Sequence, residues 1–482
     1  MKIKKAISGI MSVMIFAGAV PVFSVNPVRN YAVTASSVDD DNDYTEETYE
    51  NLTYIKYSDY IEITDCDESA TEIIIPSEID GLPVTSIGDT AFFCCSGLTL
   101  VIIPDSVTNI GYYAFSSCSS LKSVTIPDSV TSIGAYAFDY CSSLESIKIP
   151  ESVVNIDENA FCDTPWLEAR QKENPLVIVN NILIDGSTCE GDIVIPDIVT
   201  SIGDLAFDGC SGLTSVIIPE SITSIGGGVF SDCSSLTSIT IPDSVTSIGY
   251  GAFSDCSSLT SITIPDSVTS IGDSAFFECV GLTSVTIPDG VTNIGYNAFF
   301  NCYSLKSIII PDSVTSIGDW AFSDCSGLES TTIPDSVTSI DRCAFCNCSN
   351  LESITILNPD CEIYDSSVTI CSGRDDDWNY YFNGTIRGYS GSTAQAYAEK
   401  YGYDFEAIKE TENPETLLGD ANCDGEISVA DSTLILQYCG NKDKYGLTEQ
   451  GKINADVDGT AGISAVDALI IQQYDAGIIN KF

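Results

Sequence analysis

The nine residues "IPDSVTSIG" stand unchanged at 126–134, 241–249, 264–272 and 310–318, and they are fragments of a longer regularity. Aligned on a recurrent Ala-Phe pair, the chain places Phe92, Phe115, Phe138, Phe161, Phe207, Phe230, Phe253, Phe276, Phe299, Phe322 and Phe345 at steps of 23 residues, with a single step of 46. Prolines from Pro104 to Pro334 and leucines from Leu98 to Leu351 hold the same phase. A period of this length, kept by side chains of such different chemistry, leaves one kind of architecture: each unit is one coil, and about twelve coils stack into a solenoid.

The unit Leu259–Gly281, "LTSITIPDSVTSIGDSAFFECVG", shows why. "LTSITI" alternates as a half-buried strand with Ile262 and Ile264 inward, and Pro265 ends it. Val268 and Ile271 mark a second short extended stretch, and Gly272 is expected to make a turn. "DSAFFEC" is expected to form a short helical or 3-10 turn that points Ala275 and Phe276 at the core. One unit cannot bury such a face alone, so each needs a similar neighbour on either side. In the step of 46, "NPLVIVNNILIDGSTCEGDIVIP" lacks the Ala-Phe unit, and Asn180-Asn181 between apolar runs predicts a hairpin that projects from the coil stack.

With the form Leu-x-x-Ile-x-Ile-Pro, then Val-x-x-Ile-Gly, then Ala-Phe-x-x-Cys, the repeat resembles the BspA-like family of bacterial cell-surface leucine-rich repeat proteins. The resemblance covers about residues 51–408, with "PSEIDGLPVTSIGDTAF" and "GTIRGYSGSTAQAYAEKYGYDFEAI" similar to the family's flanking caps. It implies an adhesion or ligand-presenting surface. The rival architecture is a right-handed parallel β-helix, as in a polysaccharide lyase such as pectate lyase or a glycosidase, whose coils have similar length.

Ten cysteines, Cys95, Cys118, Cys141, Cys210, Cys233, Cys256, Cys279, Cys302, Cys325 and Cys348, share one phase and therefore form a column. Stacked coils carry parallel Cβ vectors about 4.8 Å apart, whereas a disulfide needs convergent Cβ atoms about 3.8 Å apart, so these read as buried free thiols. Cys343, Cys346, Cys348, Cys361 and Cys371 make a denser group that suits either a zinc ion or a disulfide. Two further columns face outward. Asp243, Asp266, Asp289, Asp312 and Asp335 follow the "IP" step, but equivalent acids offer no means of separating an acid from a base, and Asp before Ser is a turn cap. Thr240, Thr263, Thr286, Ile309, Thr332 and Thr355, beside Ser238, Ser261, Ser284, Ser307, Ser330 and Ser353, would form a flat hydroxyl-rich sheet that suits an unidentified glycan or protein ligand.

Charge narrows the function classes. With 19 basic and 69 acidic residues the net charge is −50, which repels nucleic acid and anionic membrane surfaces. Histidine is absent, so catalysis would have to run mainly on carboxylates, and no break in the repeat gathers a unique pair of them. The start of the chain, with Lys2, Lys4 and Lys5 before an apolar run from Ile7 to Phe23 and small residues near Ser24 and Ala35, reads as a secretory signal peptide over 1–35. Secretion is expected, with no membrane insertion. An acidic flexible segment at 36–50, the solenoid with caps at 51–408 and a linker at 409–418 follow.

The last segment, 419–482, changes character. "DANCDGEISVAD" numbers as a calcium loop with Asp420, Asn422, Asp424, the Glu426 carbonyl, Ser428 and Asp431 as ligands, and Gly425 at the sharp turn. A second copy 36 residues later, "DVDGTAGISAVD", offers Asp456, Asp458, Thr460, the Gly462 carbonyl, Ser464 and Asp467. Hard oxygen donors at alternating positions suit Ca²⁺, and the duplication predicts two ions. Each loop runs into a helical stretch, and Ser428 with Asp431 fits a capping box. The pair resembles a type I dockerin, a small all-α module of two calcium loop-helix halves, with Thr460 and Ala461 departing from its pattern. That resemblance implies anchoring to a cohesin module of a cellulosome-type scaffold, with Val429, Ala430, Ala465 and Val466 at the partner-choosing positions. The combined expectation is a secreted, non-catalytic repeat protein docked through calcium; the alternative is a β-helical lyase or glycosidase carried by the same dockerin.

Overall fold

A computed structural model describes residues 46–375, 377–408, 419, 421–422, 427–440, 447, 455, 457 and 463–475. The segment read as a signal peptide, the linker, and loop positions Asp420, Asp424, Glu426, Asp456, Asp458, Thr460 and Gly462 lie outside the described residues.

Each coil has three sides. In the unit read above, strand Ser261–Thr263 turns Ile262 inward and leaves its neighbours exposed, and it pairs in parallel with the strand one period on, Ser261 with Ser284 and Thr263 with Thr286. The second strand, Ser270–Ile271, is in register with Ser247–Ile248. The third side departs from expectation: it is a chain of turns, not a helix. Ser274 (φ 57°) and Glu278 (φ 54°) take the left-handed conformation, which breaks a 3-10 progression twice per coil. Alternate N–H groups then serve different coils. Ala275, Phe277 and Cys279 donate to carbonyls three residues back, while Ser274, Phe276 and Glu278 donate to Tyr296, Ala298 and Phe300 of the next coil. The backbone cost of the left-handed residues is offset by this third ladder of hydrogen bonds.

Gly272 also has a different reason from the turn expected of it. Its φ is not positive; a Cβ there would lie 2.6 Å from the Gly249 carbonyl carbon and the Tyr250 nitrogen, so glycine permits close backbone approach between coils.

The verbatim repetition of "IPDSVTSIG" has a side-chain explanation. Ser267 donates its hydroxyl to the Val245 carbonyl of the preceding coil at 2.6 Å, and Ser244, Ser313 and Ser336 do the same to their predecessors. Thr315 donates to Thr292 O at 3.0 Å, as Thr338 does to Thr315 O. These polar residues are coil-to-coil fasteners.

Inside, the phenylalanines form two runs of stacked rings with centroids 4.8 to 5.7 Å apart and planes tilted by 2° to 18°. The column cysteines are all buried as thiols, and they do more than fill space. Cys279 donates its S–H to Phe253 O at 3.0 Å and Cys302 to Phe276 O at 3.2 Å, a pattern repeated along the column. From Cys118 onward each column thiol thus serves a carbonyl of the coil before it. Burial pushes the Cys141 thiol up to about 12, which keeps it a protonated donor.

The step of 46 is one degenerate coil. Thr164 caps helix Pro165–Glu173, accepting the Leu167 N–H, and Trp166 closes the first ring stack against Phe161 with centroids 4.8 Å apart. The predicted hairpin forms between Val177–Val179 and Ile182–Asp185, with Asn180 and Asn181 at φ 49° and 68°. It does not project. Asn180 Nδ2 donates to Pro150 O and Val153 O of the preceding coil, and Ile182 and Leu183 join the ladder beside Ser201 and Ile202. Gly186 then takes the place of a phenylalanine: its carbonyl accepts the Cys189 N–H and the Cys210 thiol, and Phe207 presses so close that a Cβ would lie 2.3 Å from its ring.

The solenoid has about fifteen turns, more than the repeat motif alone marks, because the caps and the degenerate coil add turns of their own. At the N-terminal end Glu46–Tyr49, Leu52–Lys56 and Ile61–Cys66 run antiparallel, so the ordered cap begins inside the segment read as flexible. At the other end helix Thr393–Tyr401 stops at Gly402 (φ 73°), and Asp404–Ala407 closes the first ladder.

Two outcomes follow from the core. Phe276→Ala should cost about 3–5 kcal/mol, read from denaturant unfolding, because its ring has stacked neighbours on both faces. A thiol reagent should leave the column cysteines untouched in the native protein and titrate most of the ten after unfolding without reductant; finding almost none free would contradict the geometry.

Candidate calcium centre and surfaces of the solenoid

The C-terminal helices Val429–Gly440 and Ala465–Asp475 pack through Ile435 and Ile471, both fully buried, with Ala421, Leu447, Ala455, Val457 and Ala468 completing a small core. Asp431 and Asp467 stand in the first turns and are also fully buried. Asp431 accepts the Ser428 N–H at 2.8 Å and its hydroxyl at 3.4 Å through one oxygen, and the Asn422 N–H at 3.1 Å through the other. Asp467 repeats this with Ser464 N–H at 2.8 Å, Ser464 Oγ at 3.0 Å and Val457 N–H at 2.9 Å. In each half the carboxylate joins the loop's start to the helix's N-terminus, where the helix dipole favours negative charge. Asn422 holds loop position 3 and Val457 position 2, so the two loops close one residue apart, the second being the one whose sequence departs from the pattern.

These residues fit a calcium ion. Each buried carboxylate accepts backbone N–H groups, and the donors named from the sequence are all hard oxygens. Residues Asn422, Ser428 and Asp431 come together at one site, and Ser464 and Asp467 at the other; the remaining sequence-named ligands lie outside the described residues. Val429, Ala430, Ala465 and Val466 open the two helices, and their side chains also lie outside what is described.

On the solenoid, the outward positions of the first ladder are exposed as expected from Ser238 to Thr332, with Ile309 73% exposed, whereas Ser353 and Thr355 of the last repeat are half-buried. Toward the N-terminal end the same face turns aliphatic, with Ile74, Ile102, Val194 and Ile217 exposed. Asp243, Asp266, Asp289, Asp312 and Asp335 are all exposed turn residues.

The expectation that no break gathers acids fails. Beside the inserted helix lies a cleft of about 400 Å³ lined by Asp157, Asp163, Glu168, Asp185 and Asp208. At its edge Asp139, Cys162 and Asp163 each place a ligand atom within 4.8 Å of the others. Burial, and then the Asp163 charge, push the Asp139 carboxyl up to about 6. Burial also raises Asp185, against hydrogen bonds from Gln171 and Ser187. These acids come from several turns spread between Asp139 and Asp208, so no local motif announced them; the missing Ala-Phe unit was the signal that a turn had lost its cover.

Comparison with known proteins agrees with both parts of the chain. The BspA type leucine rich repeat region (6 copies) matches residues 64–190, 186–305 and 269–373, well over half of the chain, and a dockerin type I domain matches 418–474. Solved structures similar to this chain include a leucine-rich repeat protein from Bacteroides ovatus (26% identity, 75% of this chain and 100% of that one, TM-score 0.35). A leucine rich cell surface protein from Faecalibacterium prausnitzii is another (27% identity, 71% and 98%, TM-score 0.34). A xylanase/beta-glucanase of Ruminococcus flavefaciens is 43% identical over 68 residues, 12% of this chain and only 8% of that enzyme, and the match falls on the dockerin. The chain belongs to the proteins built on the BspA-type leucine-rich repeat, and it carries a type I dockerin domain behind that repeat.

Proposed function

We propose that this is an exported, non-catalytic binding protein, held on a cellulosome-type scaffold by calcium-dependent docking of its C-terminal module to a cohesin, with the solenoid presenting a ligand-binding face. The observation that carries the reading is the duplicated buried aspartate: Asp431 and Asp467, 36 residues apart, make the same bonds to Ser428 and Ser464. Two ions, one per loop, would hold the module together, with Asp420, Asn422, Asp424, Glu426, Ser428 and Asp431 around one and Asp456, Asp458, Thr460, Gly462, Ser464 and Asp467 around the other. Calcium supplies the positive charge that compensates carboxylates buried in so small a core. Among the described residues no helix is long and apolar enough to cross a membrane, in keeping with attachment through a partner. The exposed Ser and Thr columns support a polar ligand, a glycan or a protein, on the sheet face.

A second reading rests on the break cleft. Asp139, kept protonated to about 6, beside Asp163 resembles the acid and nucleophile of a retaining glycosidase, whose carboxyl groups stand roughly 5 Å apart. A screen against plant polysaccharides decides between the two: the binding reading expects no turnover, and turnover abolished by Asp163→Asn would replace it. Asp139 has a separate stability signature. A carboxyl whose folded-state affinity for its proton is raised stabilises the fold at low pH, and that contribution is lost as pH rises through about 6. Asp139→Asn should therefore raise the thermal midpoint near pH 7 and change it little near about pH 4.

Docking is tested by Asp420→Ala with Asp431→Ala. Calcium affinity at the first loop should fall by roughly two orders of magnitude or more in calorimetry, and capture by a cohesin panel should be lost. Val429→Asp should spare calcium and weaken the cohesin. Undiminished capture by the double variant, or by chelator-treated protein, would remove the docking reading.

A further inference from the structure

The dense cysteine group near the end of the repeats separates into parts. Cys348 belongs to the column and Cys361 to the main core, whereas Cys343, Cys346 and Cys371 form a buried cluster of their own, covered by Trp320, Val368 and Tyr380. Cys371 comes from the cap that follows the last repeat. A parallel bridge between Phe345 and Ile370 sets the register, with Phe345 N–H donating to Thr369 O and Cys371 N–H to Phe345 O. Cys346 and Cys371, the next residues on each side, therefore meet, and their sulfurs lie 3.6 Å apart. This differs from the column, where from Cys118 onward each sulfur faces a carbonyl of the preceding coil. The Asn347 N–H also points at the Cys371 sulfur, at 3.3 Å. Among the described residues the three sulfurs do not converge within the 4.8 Å that a shared ion would require, which disfavours a metal.

We propose that Cys346 and Cys371 close into a disulfide as the C-terminal cap docks on the last repeat, leaving Cys343 as a free thiol. The hydrogen bond with Cys346 holds both the Cys371 and the Cys343 thiol below the ordinary range, but Cys371 alone also receives the Asn347 N–H and alone lies on the cap, so we take Cys371 as the first nucleophile. Its thiolate attacks one sulfur of a low-molecular-weight disulfide and expels one thiolate. Cys346 gives its proton to that thiolate, attacks the Cys371 sulfur of the mixed disulfide and expels the second. The protein loses two electrons, the reagent gains them, and the protons of the two cysteines end on the two released small thiols. The bond ties the cap to the coil it covers, at the point where a solenoid otherwise frays.

The full chain, refolded in a glutathione redox buffer and in dithiothreitol, is alkylated and mapped by peptide mass. The oxidised sample should contain one linked peptide pair carrying Cys346 and Cys371, with Cys343 alkylated. Proteolysis within the cap should be slower by about tenfold than in the reduced sample. Cys371→Ser should lose both the link and the protection, and the map of the unsubstituted chain decides the matter if that variant does not fold. Alkylation of both sulfurs after oxidative refolding, a Cys343–Cys346 link instead, or zinc bound in equal amount with thiols shielded until chelation would each overturn the proposal.

Discussion

Contact between one coil and the next is what the rest of this structure depends on. A phenylalanine ring is buried by the rings above and below it, its carbonyl is served by a thiol 26 residues on, and a valine carbonyl is served by a serine hydroxyl 22 residues on. Nothing in a single coil satisfies these groups. Stability is therefore a sum over neighbouring pairs, and a defect is felt locally. The degenerate coil shows the tolerance this gives: Gly186 replaces a ring, Trp166 closes one stack, Phe207 opens the next, and the ladders continue across.

Much of this was legible because a stacked coil converts sequence phase into position. Phase alone identified the inward Ile262, Ala275 and Phe276, the buried free cysteines and the exposed Thr263, and Asn180-Asn181 announced its hairpin. What phase could not tell was which neighbour a side chain serves. Ser267 reads as a turn residue until Val245 O is placed beside it, and Cys279 reads as a small hydrophobe until Phe253 O is. The Ala-Phe segment looked helical because its apolar spacing suits a helix. Left-handed Ser274 and Glu278 follow from the demand for hydrogen bonds between coils, which no propensity encodes. In the C-terminal module the bond between Ser428 and Asp431 was readable as a capping box, whereas the burial of both aspartates and the one-residue difference in how the loops close were not. The acids of the break cleft escaped notice because they are neighbours only after the coils stack.

The two parts of the chain thus solve the same problem by different means. The solenoid meets many of its buried polar groups from neighbouring coils. The small module buries two carboxylates in a core of a few apolar residues, which the proposed calcium would complete. On the proposed function, that division would let anchoring respond to calcium while the presented surface stays constant. The exposed face of the first ladder, aliphatic near Ile74 and Ile102 and rich in hydroxyls from Thr240 onward, is correspondingly free to differ from coil to coil without disturbing the fold.

The most direct test of this division is scanning calorimetry of the full chain with saturating calcium and with excess chelator. Nearest-neighbour stacking predicts two transitions, of which the smaller shifts or disappears when calcium is removed while the larger keeps its midpoint. A large transition that moves with calcium, or a small one that ignores it, would contradict the account.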